Sequence, residues 1–410
     1  MNNKYKYHKK ILTIIIITII VLGNFNIINA KEQVLNINEA CDLALQNSSA
    51  LKILQLNIEH LQLIVDQANE ASKLADQRLK INDRFLELYY KKQKNELTDP
   101  SDIQEYNSYV SMYGKPLIGE DQKFQFIQMK TITPLEAKYS VYSAQNNIKI
   151  NENTIKYSIM QSYCNLLNLK DSIEINNMNY KIKEENYKIA QLKYKYNLIS
   201  STEFKKIEGE YTKAKLTLDI LNNNYNLQLK SFNRQLGIPI NNITSIVDIE
   251  FDSKIDSIDK YIEETLINNM DIKNALEKLK NKNYIYDIVY DSFSDENNYN
   301  IQNALYEKNQ AEHDLYNQKI SKQINIKMAY QDIQKKFLDY KTAQDSYNNS
   351  LKKYNEGLMQ YKLNKISNTD LKSLELLLKQ AEIQINNVKR DIWLKIKKLE
   401  FLSHEGLNIN

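Results

Sequence analysis

The chain of 410 residues holds only seven glycines and four prolines. These residues punctuate turns, and a chain with so few of them cannot be a set of compact, many-turned domains. It must run in few, long elements. Cysteine is scarce too: Cys41 and Cys164 stand alone, which excludes a disulfide scaffold. A single bridge permitted by an oxidising compartment and two free core thiols are the open readings. The four histidines, His8, His60, His313 and His404, lie far apart and form no metal-ligand pair. No glycine-rich phosphate loop and no Gly-x-Ser-x-Gly elbow occurs. No catalytic residue, metal site or cofactor site is therefore assigned, and the chain does not read as an enzyme. Charge of one sign is missing as well. Lys4, Lys6, Lys9 and Lys10 account for the whole formal net charge of +4. The remainder is balanced, so nothing points to nucleic acid.

Those four lysines belong to a secretory pattern over residues 1–30. They precede an apolar run from Ile11 to Leu22, and Ile28-Asn29-Ala30 ends in a small residue suited to cleavage. The run is short for a spanning helix. A signal peptide cleaved after Ala30 is expected, with a retained anchor extended through Asn24 to Ile28 as the alternative. Cys41 lies too far on to be a lipoprotein cysteine. The 29 tyrosines, with abundant Asn, Lys and Ile, also fit the codon bias of an AT-rich genome.

What the chain does contain is a repeat. Tyr194 to Phe204 lies on Tyr361 to Leu371, and Asn364 follows Asn197 by 167 positions. Upstream, Ile159, Leu166, Ile173, Tyr180, Tyr187 and Tyr194 recur every seven residues. Their counterparts are Ile326, Ile333, Tyr340, Tyr347, Tyr354 and Tyr361. Apolar and aromatic residues also alternate at spacings of four and three from Ile326 to Tyr361, which implies a left-handed supercoil. The first long helix carries a second column, Ile175, Ile182, Ile189 and Tyr196, which implies neighbours on both sides. The pattern predicts an all-α fold of very long antiparallel coiled-coil helices, built from two tandem hairpin repeats over residues 31–257 and 258–410.

In chain order, Asn36 or Asn38 caps a first helix that runs through Leu43, Ala44, Leu51, Leu56, Leu63 and Leu74 to about Glu96. Residues 97–134 hold Pro100, Pro116, Pro134, Gly114 and Gly119, and read as either a weak, vestigial β-hairpin or an irregular loop. A helix of about 90 Å follows to Asn197, whose tolerance of left-handed φ suits a tight turn. A returning helix starts near Ser201, Thr202 and Glu203 and stops at Gly237-Ile238-Pro239. Residues 243–251 could form a short strand. The second copy lacks room for any hairpin: Asp291 to Asn298 is polar and without strand pattern.

Three features together resemble the TolC-like outer membrane efflux protein family. They are the opening Leu35-Asn36-Ile37-Asn38-Glu39-Ala40 with Leu43, Ala44, Leu45, Asn47 and Leu51, the doubled tip, and Leu236-Gly237-Ile238-Pro239. At the tips the family usually has Gly where this chain has Asn197 and Asn364. The resemblance implies an α-barrel type of fold and a homotrimeric helical tube through which small molecules or peptides pass. Its partners would be a membrane-fusion-type adaptor and an inner-membrane pump, met at the tips. It places Asn197, Ile199, Ser200, Thr202, Glu203, Asn364, Ile366, Ser367, Thr369 and Asp370 at the aperture and adaptor contact. Tyr180, Tyr187, Tyr194, Tyr347, Tyr354 and Tyr361 are expected to serve heptad packing. Family members carry an Asp at the Asp370 position, so Glu203 and Asp370 would form an acidic ring in a trimer. Alternatively they only cap their helices. The chain departs from the family at the β-barrel, which is expected to be absent or vestigial. The expected location is the cell envelope: the outer membrane if the cell has one, otherwise the membrane or wall. The alternative to a conduit is an exported structural coiled coil that has lost the pore.

Overall fold

The computed structural model describes residues 33–242 and 244–408. The export segment at residues 1–30 lies outside them. A short strand β1 (Gln33–Leu35) precedes α1 (Ile37–Asn47), α2 (Ser49–Gln93), α3 (Pro100–Tyr113) and α4 (Glu120–Ile127). A π-helical turn (Gln128–Ile132) leads into α5 (Thr133–Lys195), which returns as α6 (Ser201–Gln235). After β2 (Thr244–Ile246), the second half comprises α7 (Ile258–Asn268), α8 (Met270–Tyr290), α9 (Tyr299–Lys362) and α10 (Asn368–Ser403). The predicted all-α fold is thus what the chain adopts. α5 and α9 have 63 and 64 residues, about 95 Å each at 1.5 Å per residue.

The helices form four columns side by side. α6 and α2 stand end to end as the first, α5 is the second, α10 and α8 stand end to end as the third, and α9 is the fourth. α5 packs on the first column on one side and the third on the other; of the expected second stripe Ile182 is buried there, while Ile189 and Tyr196 are exposed near the tip. α9 packs on α10 and α8. Its heptad residues Ile326 and Ile333 are buried with Ile392, Ile396 and Leu399 of α10.

The two end-to-end joints are held by side chains. Helix α1 breaks at Ser48, whose extended ψ of 113° and side-chain bond to Leu51 N–H start α2. The equivalent residue in the second copy is Asn269, with ψ 127° and a side chain accepting from Asp271 and Ile272 N–H. Asn47 Nδ2 donates to the Leu236 carbonyl at 2.9 Å, tying the end of α6 to this joint. Gly237 follows with φ +68°, and a Cβ there would lie 2.4 Å from Asn47 Cβ. Both the left-handed backbone and the close approach require glycine.

A short strand pair packs against the first joint. β1 and β2 pair in parallel, with Val34 opposite Ser245. Tyr163 of α5 is fully buried beneath them. Its hydroxyl reaches the Leu35 and Val247 carbonyls at 2.9 and 2.7 Å and accepts from Val247 N–H at 3.0 Å. The expected strand in 243–251 is present as only three residues, and Ile243 lies outside the described residues.

Two expectations are corrected. Residues 97–134 form neither a hairpin nor an irregular loop, but two helices and a π-helical turn. Pro100 occupies the first turn of α3 behind the Asp99 cap, and Gly114 (φ +75°) ends it. The apparent breakers therefore mark helix ends, where proline and glycine are favoured. Further, the first helix is not continuous to Glu96, and Leu56, Leu63 and Leu74 are not core. They are exposed on α2, whose buried face is Val65, Ala68, Ala75, Phe85 and Leu88. Cys41 and Cys164 are free and buried, the second of the two readings.

Candidate functional site at the helical tips

Both hairpins turn through one residue with positive φ: 58° at Asn197 and 54° at Asn364. Asparagine is the non-glycine residue best suited to that conformation, so it replaces glycine here at small cost. Each returning helix is capped by a serine outside the helix rather than by Ser201 or Thr202. Ser200 Oγ accepts from Glu203 N–H at 3.1 Å, and Ser367 Oγ accepts from Asp370 N–H at 3.1 Å.

The two acids differ in their engagement. Asp370 completes a capping box: its carboxylate accepts from Ser367 Oγ at 2.7 Å and from Ser367 N–H at 3.1 Å. These bonds, the hydroxyl first and the backbone second, hold the Asp370 carboxyl below its ordinary range. The Glu203 carboxylate makes no such return bond, and the box is absent at the first tip. Thr369 Oγ1 lies 2.9 Å from Ser367 Oγ, and Thr202 is exposed at the matching place. Ile199 and Ile366 are half-buried under their turns. Ile366 lies over Gly357 of α9, where an added Cβ would meet Leu374 Cδ1 at 2.1 Å. The matching residue of α5 is the buried Ala190, so a small residue stands at this place in both hairpins.

The tyrosine column of the first hairpin stacks on its returning helix. Tyr187 stacks on Tyr211 at 4.8 Å and 4°, and Tyr194 stacks on Phe204 at 4.8 Å and 9°. Tyr180 tilts against Tyr211 at 5.7 Å. In the second hairpin Leu371 and Leu378 occupy the positions of Phe204 and Tyr211. Tyr347 and Tyr354 are half-buried there, and Tyr361 is exposed. Below the ladder the tips present unpartnered apolar side chains, Leu192, Tyr196 and Leu198 on one and Met359 and Leu363 on the other.

Periodicity missed the residues that lock the two hairpins to each other. Along the seam between α5 and α10, Lys372 meets Glu185 at 2.5 Å and Lys379 meets Glu174 at 3.1 Å. The Lys372 bond holds the Glu185 carboxyl below its ordinary range. Farther from the tips, Arg390 is only 4% exposed and binds Asp171 at 2.5 Å and Asn168 at 3.0 Å. It also grips both oxygens of Asp248 at 3.1 and 2.9 Å. Burial raises the Asp248 carboxyl and the arginine fork lowers it. The fork prevails, so its pKa lies below the ordinary value. One signal was available: Arg390 is one of four arginines among 55 basic residues. A guanidinium in a lysine-rich chain marks a site needing planar, multiple donation.

No group of residues suited to hold a metal ion is found among the described residues. No described helix is long and apolar enough to cross a membrane.

No family model matches the chain, and no curated protein matches it. Solved structures do. The CmeC outer membrane channel of Campylobacter jejuni superposes with TM-score 0.55 at 16% identity, over 88% of this chain and 84% of that one. The outer membrane protein VceC of Vibrio cholerae gives TM-score 0.60 at 11% identity, over 90% and 96%. A membrane protein from Pseudomonas aeruginosa gives TM-score 0.62 at 10% identity, over 90% of each chain. At these identities it is the architecture that is shared, and the protein has the fold of the outer membrane channel proteins.

Proposed function

We propose that the chain is one protomer of an efflux conduit of the TolC-like family: a homotrimeric helical tube in the cell envelope. It passes small molecules or peptides delivered by a pump through an adaptor that meets the tips. The observation that carries this reading is where the exposed apolar side chains lie. They are most numerous on the two edge columns, with fewer on the third, Leu276, Tyr284, Tyr290 and Leu377. The first has Ile53, Leu56, Leu63, Leu74, Leu216, Ile220 and Leu227; the fourth has Tyr299, Tyr306, Tyr316, Ile320, Ile324, Met328 and Leu338. The second column has no exposed large apolar residue from its start until Ile189, near the tip. A sheet of helices with two apolar edges is satisfied when copies join edge to edge and close. The exposed apolar residues at the tips supply the surface for the adaptor.

A second reading, an exported structural coiled coil without a pore, is favoured by the helical state of residues 97–134, where a membrane hairpin would otherwise sit. Light scattering and end-on electron microscopy of the purified mature chain separate the two. A mass of three protomers with a central hollow supports the conduit. A monomer or a solid dimer refutes it.

A further inference from the structure

In its own chain α3 packs chiefly on α2, so it extends the free edge of the first column. It is firmly seated there. Arg84 bridges to Asp102 and Glu105, and Tyr106 packs edge-on to Phe85 at 5.9 Å. The turn after α3 is clipped down by two buried side chains of α2. Arg78 donates to the Lys115 carbonyl at 2.6 Å, and Asn82 exchanges bonds with Leu117 N–H and carbonyl at 2.8 and 3.1 Å. Yet this rigid unit points apolar side chains at solvent: Met112 is 70% exposed and Ile118 53%.

The opposite edge carries its own bare patch at the same height. Arg78 stacks on Tyr113 and on Phe126 of α4, at 5.0 and 5.9 Å. Phe124 of α4 touches Phe293 at 5.0 Å, and Ile132 shares a cluster with Ile301. These contacts place Met112, Ile118 and the start of α9 in one tier. There Tyr299 is 79% exposed, with Tyr306 and Tyr316 following down the helix. Tyr299 and Tyr306, two turns apart, fall on one face of α9 and make one exposed aromatic patch. The charges complement as well. The turn from Asp291 to Asn298 has Asp291, Asp295 and Glu296 and no base, while the turn after α3, residues 114–119, brings Lys115 and no acid.

We infer that α3 and its following turn form a clasp between protomers: Met112 and Ile118 of one copy seat against Tyr299 and Tyr306 of the next. A thioether and a branched aliphatic against phenol rings is a favourable pairing. Three clasps make a helical collar that closes the tube at the end away from the tips, where this chain has helices instead of a strand hairpin. The inference rests on the ring proposed above, and the test separates the two.

Single cysteines are introduced in two pairs into the full chain: Met112→Cys with Tyr299→Cys for the collar, and Ile220→Cys with Leu338→Cys for the mid-body edges. Both native thiols are buried, so a short bis-maleimide reads the new sites. The clasp predicts a covalent trimer ladder from the collar pair and at least ten-fold less from Met112→Cys or Tyr299→Cys alone. An uncrosslinked collar pair in a particle with trimer mass overturns the clasp and leaves the ring standing. A monomeric mass with neither pair crosslinked overturns both. As a second measurement, Met112→Glu with Ile118→Glu should leave helicity unchanged, since both side chains are exposed. It should raise the protomer concentration for half-assembly at least ten-fold; an unchanged value overturns the clasp.

Discussion

Removing Arg390 should cost far more than removing any lysine of the same seam. In Arg390→Met, the aliphatic volume is kept and the fork is lost. Asp171, 16% exposed at its side chain, is left without its cation, while Asp248, 57% exposed, regains water. Breaking a fully buried pair costs ~3–5 kcal/mol. With one acid free to rehydrate, the lower end applies, about 3 kcal/mol, or roughly a 150-fold loss in the folded-to-unfolded ratio. A double-mutant cycle of Arg390→Met with Asp171→Asn should give a coupling of ~1.5–3 kcal/mol, the range for hydrogen bonds to charged groups. The control lies in the same seam: Lys379→Met with Glu174→Gln, where the acid is 51% exposed. That coupling should stay under about 1 kcal/mol and shrink in high salt. The assay is urea unfolding followed by far-ultraviolet circular dichroism at one fixed protomer concentration, because assembly adds to apparent stability. Equal couplings for the two pairs would refute the claim that the arginine fork, rather than general charge pairing, joins the hairpins.

Acidification should loosen the second tip. The Asp370 pKa is depressed in the fold, so its contribution is complete above the unfolded value near ~4 and is lost as pH falls through the folded one. Hydrogen exchange in the first turn of α10 should rise below about pH 4, and Asp370→Ala should remove that pH dependence; Glu203→Ala should leave exchange in α10 unchanged. Tyr187→Lys should destabilise the first hairpin more than Tyr354→Lys does the second, because Tyr187 lies between Phe204 and Tyr211. Equal losses in thermal unfolding would show that the ring stack adds nothing. Burial raises the Cys41 thiol to about 11 and the Cys164 thiol to about 12, so both should resist maleimide at pH 8 in the folded chain and react in urea. Labelling of the native protein would contradict the buried assignment.

The sequence made the tips and the long helices legible because each is written in a regular code. Heptads hold over many turns in α5 and α9, and Asn197 and Asn364 supply the backbone state each turn needs. The breaks at Ser48 and Asn269 escaped notice because neither glycine nor proline makes them; a side chain simply takes over the next N–H groups. Residues 97–134 misled for the opposite reason. Pro100, Gly114 and Gly119 are true punctuation, but they bound helices instead of strands, and the rough alternation of Phe124, Phe126 and Ile127 turned out to lie on helical faces. The cross-seam ion pairs stayed invisible because Glu174, Glu185, Lys372 and Lys379 look on their own helices like any solvated charge.

The two joints fall in one plane. The first abuts α5 near Thr154, Ile155 and Ile159, and the second ties to it through Asn153, which donates to the Gly406 carbonyl at 3.0 Å. At that level two of the four columns are cut, and only the backbones of α5 and α9 cross without interruption. A beam with half its members severed at one section bends and twists there first. The halves on either side can therefore keep their internal packing while changing their angle to each other. The resistance to that motion is set by the two uninterrupted helices, by the asparagine side chains that span the cuts, and by the buried cluster around Tyr163 and Phe232 at the first joint.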